Sequence, residues 1–300
     1  AALTEYWLRH GPVWGTRKFL TTVPLASPVD PTGKRTAGQL KLVCLRDDEI
    51  LHVESSLKFF VDAIPAAALD KVDAATEDGN PMGRSMARFV GPFLHENLAW
   101  RLNEARRKLR STGSSAVRAY LHAQLGEVPV RSAYFLKGFI FRPLRDFRPA
   151  SPWATPPELN SDCPLGWYTS CIEELGAAVL PGARFAVLPK LFWLGPAEAR
   201  GDPPTVVGCE LPSQSDPVPL EPWHILREQV TQHFERYENA LLLCEMLPVP
   251  GDASRWYEHS RGFILPPAWD PKELLTEGPT GMRTSNDVRG ICGHEGFADA

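Results

Sequence analysis

The clearest hydrophobic pattern in the chain lies over residues 38–60. Two apolar, β-prone runs at 40–45 and 50–60 flank the polar stretch Arg46-Asp47-Asp48-Glu49, which predicts a β-hairpin. Strand side chains alternate between faces, so Gln39 and Lys41 share one face of the first strand. On the second strand His52, Glu54, Ser56 and Lys58 share a face, while Val53, Leu57 and Phe59 form the opposite, mostly apolar face suited to a core. Four polar side chains along a strand otherwise fit for burial mark either a site or the solvated side of a half-exposed antiparallel strand. Spacing alone favours neither.

Elsewhere the pattern predicts a mixture of helices and strands. Residues 3–23 read as a short helix followed by an extended arm, and 24–37 as a loop rich in Pro, Thr and Gly. Leu98, Leu102, Ala105 and Leu109 recur near helical spacing within 96–110, with Arg101, Arg106, Arg107, Lys108 and Arg110 largely opposite. That basic face suits phosphate, an acidic partner or plain solvent. The aromatic run 133–141 predicts a buried strand ended by Arg142-Pro143, and 148–164 a proline-rich loop. A helix follows at 168–180, then strands at 184–188 and 206–211, and a second proline-rich stretch at 212–222. Residues 223–247 contain no Gly or Pro and follow Pro222, a favourable first-turn residue, which predicts the longest helix. A last strand is expected at 262–265, and beyond Pro271 the periodicity fades into a tail, either unstructured or laid on a partner. The expected organisation is an N-terminal arm over 1–37, one principal domain of α/β or α+β class over 38–271, and a C-terminal tail over 272–300.

Composition narrows the functional classes. The net charge of −4 gives no general attraction to nucleic acid. The 29 prolines imply long ordered connections or surfaces packed against neighbours. Six scattered cysteines without a CxxC pair suit buried thiols in a reducing compartment better than a disulfide framework. No run approaches the roughly 20 apolar residues of a membrane span, so a soluble or peripheral protein is expected. Ala1 in first position suits a processed N-terminus, as after organellar import, or a trimmed one. His224 and His233 stand nine residues apart, not at the spacing of a helical metal site, and Cys292 with His294 reads as an ordinary surface pair. Nucleophile-elbow, Walker A and dinucleotide-binding glycine patterns do not occur. The nine tryptophans and the aromatic run could stack on bases, but core and interface packing is the commoner use of such residues.

Gly38-Gln39-Leu40-Lys41-Leu42-Val43, followed by His52-Val53-Glu54-Ser55-Ser56-Leu57-Lys58-Phe59-Phe60, resembles the signature of an uncharacterised bacterial family of the PD-(D/E)XK nuclease superfamily. That family reads Gly-Glu-Leu-Asp-Phe-Leu on the first strand and His-Leu-Glu-Leu-Ala-Val-Lys-Phe-Tyr-Leu on the second. Further similar segments occur in the same order: Phe89-Val90-Gly91-Pro92, then Leu136-Lys137-Gly138-Phe139-Ile140-Phe141-Arg142-Pro143. They continue with Leu188-Pro189-Lys190-Leu191-Phe192-Trp193-Leu194-Gly195-Pro196 and close on Glu258 with Arg261-Gly262-Phe263-Ile264-Leu265-Pro266-Pro267-Ala268-Trp269. The resemblance covers roughly 38–271 and implies a restriction-endonuclease-like mixed sheet flanked by helices.

In such nucleases an acidic residue on the first strand and a Glu on the second hold a divalent metal, and a Lys steadies the attacking water. Glu54 and Lys58 match the second-strand positions, whereas Gln39 and Lys41 replace both acids of the first. An ammonium in the metal seat removes a ligand and repels a dication, costing roughly 8 kcal/mol at about 4 Å and an effective dielectric near 20. Lys41 could instead pair with Glu54 across the hairpin. Asp47 and Asp48 sit at the far end of the strands and are poorly placed to restore the ligand set.

The resemblance with this departure therefore implies a vestigial site (Gln39, Lys41, Glu54, Lys58), with no catalytic residue, metal or cofactor expected. The expected role is a structural or accessory subunit of a larger assembly, contacting other subunits through the N-terminal arm, proline-rich loops and C-terminal tail. A mitochondrial host, such as an ATP synthase with lineage-specific subunits or a mitoribosome, is the expected location; otherwise the chain is an intracellular soluble protein. Two alternatives stand beside it: a Mg²⁺-dependent nuclease using Glu54, Lys58 and an acid from elsewhere, and a nucleic-acid binder using the basic helix.

Overall fold

The computed structural model describes residues 16–26, 36–63, 85–148, 155–157, 159–207 and 218–271. By its packing the chain groups into two compact units, 1–58 with 100–138 and 59–99 with 139–300. Each unit has its own buried apolar clusters, which is the physical basis of the division.

In the first unit the expected hairpin is present. β2 (Thr36–Arg46) and β3 (Glu49–Asp62) are antiparallel, with register from Arg46↔Glu49 to Leu42↔Val53. Asp47 takes a positive φ of 48° in the two-residue turn, a conformation Asp tolerates and tight hairpins need. Part of the expected N-terminal arm is β1 (Thr16–Ala26), which pairs antiparallel with β2. The helix expected over 96–110 is α1 (Leu98–Ser111). A second helix, α2 (Ser115–Leu125), has no counterpart in the sequence reading. The Ser114 side chain accepts from the Val117 N–H at its start, and Gly126 stands at its end with φ 103°. Its Leu121 and Leu125 pack with Val23, Leu40, Val43 and Ile50, while Leu42, Cys44, Leu51 and Val53 form a separate cluster with Phe19, Ala133 and Phe135.

The second unit contains parallel and antiparallel pairs. β5 (Val130–Pro143) enters it at its C-terminal end, where Ile140–Pro143 run parallel to β6 (Leu165–Thr169). β6 is also parallel to β12 (Asp252–Ile264), and β11 (Leu241–Val249) is antiparallel to both β12 and β7 (Arg184–Val187). The short strands β8 (Glu198–Arg200), β9 (Thr205–Val207) and β10 (Val218–Pro219) continue from β12, and β4 (Phe89–Val90) pairs with the end of β3. α3 (Leu144–Phe147) follows β5 directly, and a 3-10 turn spans Lys190–Phe192. α4 (Ile172–Ala178) and α5 (Trp223–Arg236) supply Leu175, Leu226 and Val230 to a core with Trp167, Phe185, Leu243 and Ile264. The chain is thus mixed α/β, with helices packed on sheet.

Several boundaries differ from the sequence reading. The long helix expected over 223–247 is α5 followed by β11. The helix ends where the Tyr237 N–H closes on the His233 carbonyl at 2.8 Å. Leu241 to Met246 are buried without interruption, as a central strand requires and a surface helix does not permit. The helix expected at 168–180 is the end of β6 and then α4, with the Cys171 N–H donating to the Thr169 hydroxyl at 3.0 Å between them. The strand expected at 262–265 is the end of a thirteen-residue β12. The N-terminal segment 1–15, most of the loop 24–37, parts of 148–164 and 206–222, and the tail 272–300 lie outside the described residues.

Candidate functional site

The polar stripe of β3 is not a solvated face. His52 and Glu54 are buried, Glu54 at 2%, while Leu57, expected in the core, is 44% exposed. Burying a carboxylate costs several kcal/mol unless its oxygens are satisfied. Here the strand itself supplies the donors. Just beyond the Leu42↔Val53 pair, the Lys41 N–H donates to Glu54 Oε1 at 3.1 Å. His52 Nε2 lies 3.2 Å from the same oxygen, and its Nδ1 lies 2.7 Å from Thr112 Oγ1 at the end of α1. Because an ionised carboxylate only accepts, Nε2–H donates to Glu54, and Nδ1 pairs with the Thr112 hydroxyl.

Lys41 completes the cluster. Its Nζ donates to the Ser55 carbonyl at 3.1 Å and stands 3.9 Å from Glu54 Oε2, with about a third of the side chain exposed. Burial works to raise the Glu54 carboxyl; the His52 hydrogen bond, the Lys41 N–H and the charges of His52 and Lys41 outweigh it and hold it below its ordinary value. Of the residues marked out by sequence, the structure therefore brings Lys41 and Glu54 together. Gln39 is exposed on β2, outside this pairing, and Lys58 is half-buried four residues along β3 from Glu54. Thr112 was not foreseeable: it is sixty residues from His52 and follows a helix whose pattern points to its own apolar face.

A divalent ion does not fit these donors. Magnesium takes octahedral oxygen ligands at short range, usually with one or two carboxylates. Glu54 is the one carboxylate of this cluster, its Oε1 already accepts twice, and an ammonium faces its Oε2. Asp47 and Asp48 are exposed in the hairpin turn, where Asp47 pairs with Arg46 at 3.4 Å. The basic face of α1 is itself partly internally paired, since Arg101 and Lys108 reach Glu104 at 2.6 and 3.0 Å. His233 bonds the Asn239 carbonyl at 3.1 Å, and burial holds its imidazole below the ordinary value. Cys292 and His294 lie outside the described residues.

The remaining motif segments have structural explanations. Arg261 is almost fully buried and donates to the carbonyls of Trp193 and Gly195 at 2.8 and 2.6 Å. It also grips Glu258, whose Oε2 accepts from the Ala197 N–H at 2.7 Å. Trp193 Nε1 donates to the Leu188 carbonyl at 2.7 Å and Trp269 Nε1 to the Pro92 carbonyl at 2.9 Å. The Gly-Pro, Trp-Leu-Gly-Pro and Glu-x-x-Arg segments are thus stitched to one another or to neighbouring backbone. Gly138 has φ +151°, and a Cβ there would stand 1.5 Å from the Lys58 carbonyl oxygen, so this Lys-Gly segment requires glycine to pass β3.

Comparison with known proteins adds one identification. No curated protein and no solved structure matches the chain. Among protein families, residues 3–265 match the one described as Domain of unknown function (DUF1853), and the chain belongs to that family.

Proposed function

We propose that the chain is a non-catalytic structural or accessory subunit, built on a PD-(D/E)XK-like fold whose metal seat has become an ion pair. One observation carries this reading: a lysine stands where the nuclease pattern has a metal-binding acid, and its ammonium lies 3.9 Å from Glu54. A fold that keeps its shape while its ligand set is closed off by hydrogen bonds suits scaffolding better than turnover. The proline-rich connections suit contacts with neighbouring subunits. No helix among the described residues is long and apolar enough to cross a membrane. The proposed host is a mitochondrial assembly, an ATP synthase or a mitoribosome, to be tested by organelle fractionation.

Two measurements decide the reading. Incubation of the native chain and of Glu54→Gln with Mg²⁺ or Mn²⁺ and mixed DNA and RNA substrates should give no cleavage by either. Cleavage by the native chain that disappears in Glu54→Gln would overturn the proposal in favour of a rearranged nuclease. Native gel migration from source-cell extract should place the chain in a large complex. Migration as a free monomer would count equally against it.

A further inference from the structure

The second unit contains a cleft of about 980 Å³ whose lining includes Arg142, Arg145, Arg148 and His259. The arginines come from one short stretch, Arg142-Pro143-Leu144-Arg145-Asp146-Phe147-Arg148, where β5 ends and α3 forms. All three line the same cavity. Two of them are fixed by the fold. Arg142 is buried at the end of β5, and Arg148 forks onto Glu245, with further bonds to the Ala178 carbonyl at 2.8 Å and Ser260 Oγ at 2.9 Å. Arg145 differs: it is exposed and makes no hydrogen bond or ion pair with a described residue.

The lining charge is one-sided. Glu174 is the single acid in it, and that carboxylate already accepts from the Thr169 hydroxyl at 2.5 Å. Leu144, Leu165 and Leu180 provide apolar wall, with the Thr155 and Ser161 hydroxyls also present. A cavity at the upper end of small-molecule size, lined by leucines and by three arginines, has the make-up of a site for an amphipathic anion. Guanidinium forks match phosphate oxygens in plane, and fixed arginines lose little freedom on binding. We infer that this cleft binds a small organic phosphate of about nucleotide size, with its phosphate on Arg145 beside Arg142 and Arg148 and its body on the leucine wall.

Isothermal titration of the full chain with AMP, glucose 6-phosphate, pyrophosphate and adenosine tests this. At least one organic phosphate should bind saturably and more tightly than pyrophosphate, and adenosine should not bind. Arg145→Ala should weaken that binding about ten- to a hundredfold, the value of one charge-assisted contact, while leaving the urea midpoint of the free protein unchanged. Glu54→Gln should leave it intact, which separates this site from the hairpin reading. Absence of saturable binding by every organic phosphate overturns the inference. Equal affinity in Arg145→Ala overturns it too, as does salt-sensitive binding confined to an oligonucleotide.

Discussion

Two buried glutamates, one in each unit, show how differently the same side chain can be held. Glu245 on β11 is fully buried, and its carboxylate meets the planar fork of Arg148, with the Ser260 hydroxyl at 2.7 Å. Ser260 also accepts from Trp167 Nε1 at 2.9 Å, so the charge is tied to three separate segments. Glu54 is nearly as buried, but its hydrogen bonds come from a backbone N–H and an imidazole, and its counter-charge stands off at 3.9 Å. A fork places charge and hydrogen bonds in the same contact, whereas the Lys41 ammonium contributes Coulomb attraction across a partly wet gap. The first arrangement is architecture. The second is a looser pairing, held mainly by neutral donors.

The largest effect expected from this contrast is at Arg148. Arg148→Met leaves Glu245 buried and without its fork, which should cost about 3–5 kcal/mol in urea unfolding. Arg148→Met combined with Glu245→Met removes both charges and should recover most of that loss. A single-variant loss below about 1 kcal/mol would mean that the hydroxyl and water satisfy Glu245 without the arginine.

Next comes the backbone beside the hairpin site. Gly138→Ala drives a methyl group onto the Lys58 carbonyl, at a φ of +151° that L-residues avoid. Neither partner is a flexible side-chain end, so a destabilisation of about 3 kcal/mol is expected by chemical denaturation. An unchanged midpoint would show that β5 can move away from β3 at this point.

Glu54→Gln should cost less, about 1.5 kcal/mol at pH 7, because the amide keeps its shape and loses only charge-assisted bonds. Its pH signature is more informative than its size. The folded carboxyl lies below its ordinary value of 4.5, so the native state binds this proton less readily than the unfolded chain. The stability it contributes is therefore complete above pH 4.5 and is lost as pH falls through the folded value. The difference between native protein and Glu54→Gln should shrink on that acid limb. A constant difference across it would remove the case for an ionised Glu54.

Much of this was legible in sequence, for identifiable reasons. The hairpin was clear because alternation and a polar turn are local signals, and Lys41 with Glu54 followed from its register. The burial of His52 and Glu54 was not legible, since a polar stripe looks the same whether solvent or a helix end covers it. Thr112 carries no local mark of its role. The break between α5 and β11 was missed because Tyr237 to Ala240 contain neither Gly nor Pro; only the continuous burial of Leu241 to Met246 gives it away. The Arg148–Glu245 pair spans 97 residues, beyond the reach of any periodicity argument. Arg261 was marked by its motif, yet its purpose, holding the Trp193 and Gly195 carbonyls, depends on tertiary geometry.

The smallest expected effect is the sharpest test of the contrast. Lys41→Met performs on Glu54 the operation that Arg148→Met performs on Glu245: it removes the cation and keeps most of the apolar stem. Because the Lys41 N–H belongs to the backbone, the variant retains that bond to Glu54, and His52 is untouched. What is lost is the ammonium's bond to the Ser55 carbonyl and a partly exposed Coulomb contact at 3.9 Å. The loss at pH 7 should therefore stay within about 1 kcal/mol and diminish further in 0.5 M salt, which screens exposed charge. The Glu54 carboxyl should also rise, because one of the charges holding it down has gone, so the acid transition begins at higher pH than in the native protein. A cost as large as that of Arg148→Met, insensitive to salt, would mean that Lys41 is as integral to its unit as Arg148 is to the other. The ammonium would then be a built structural element, and the proposal that it fills a former metal position would lose its support.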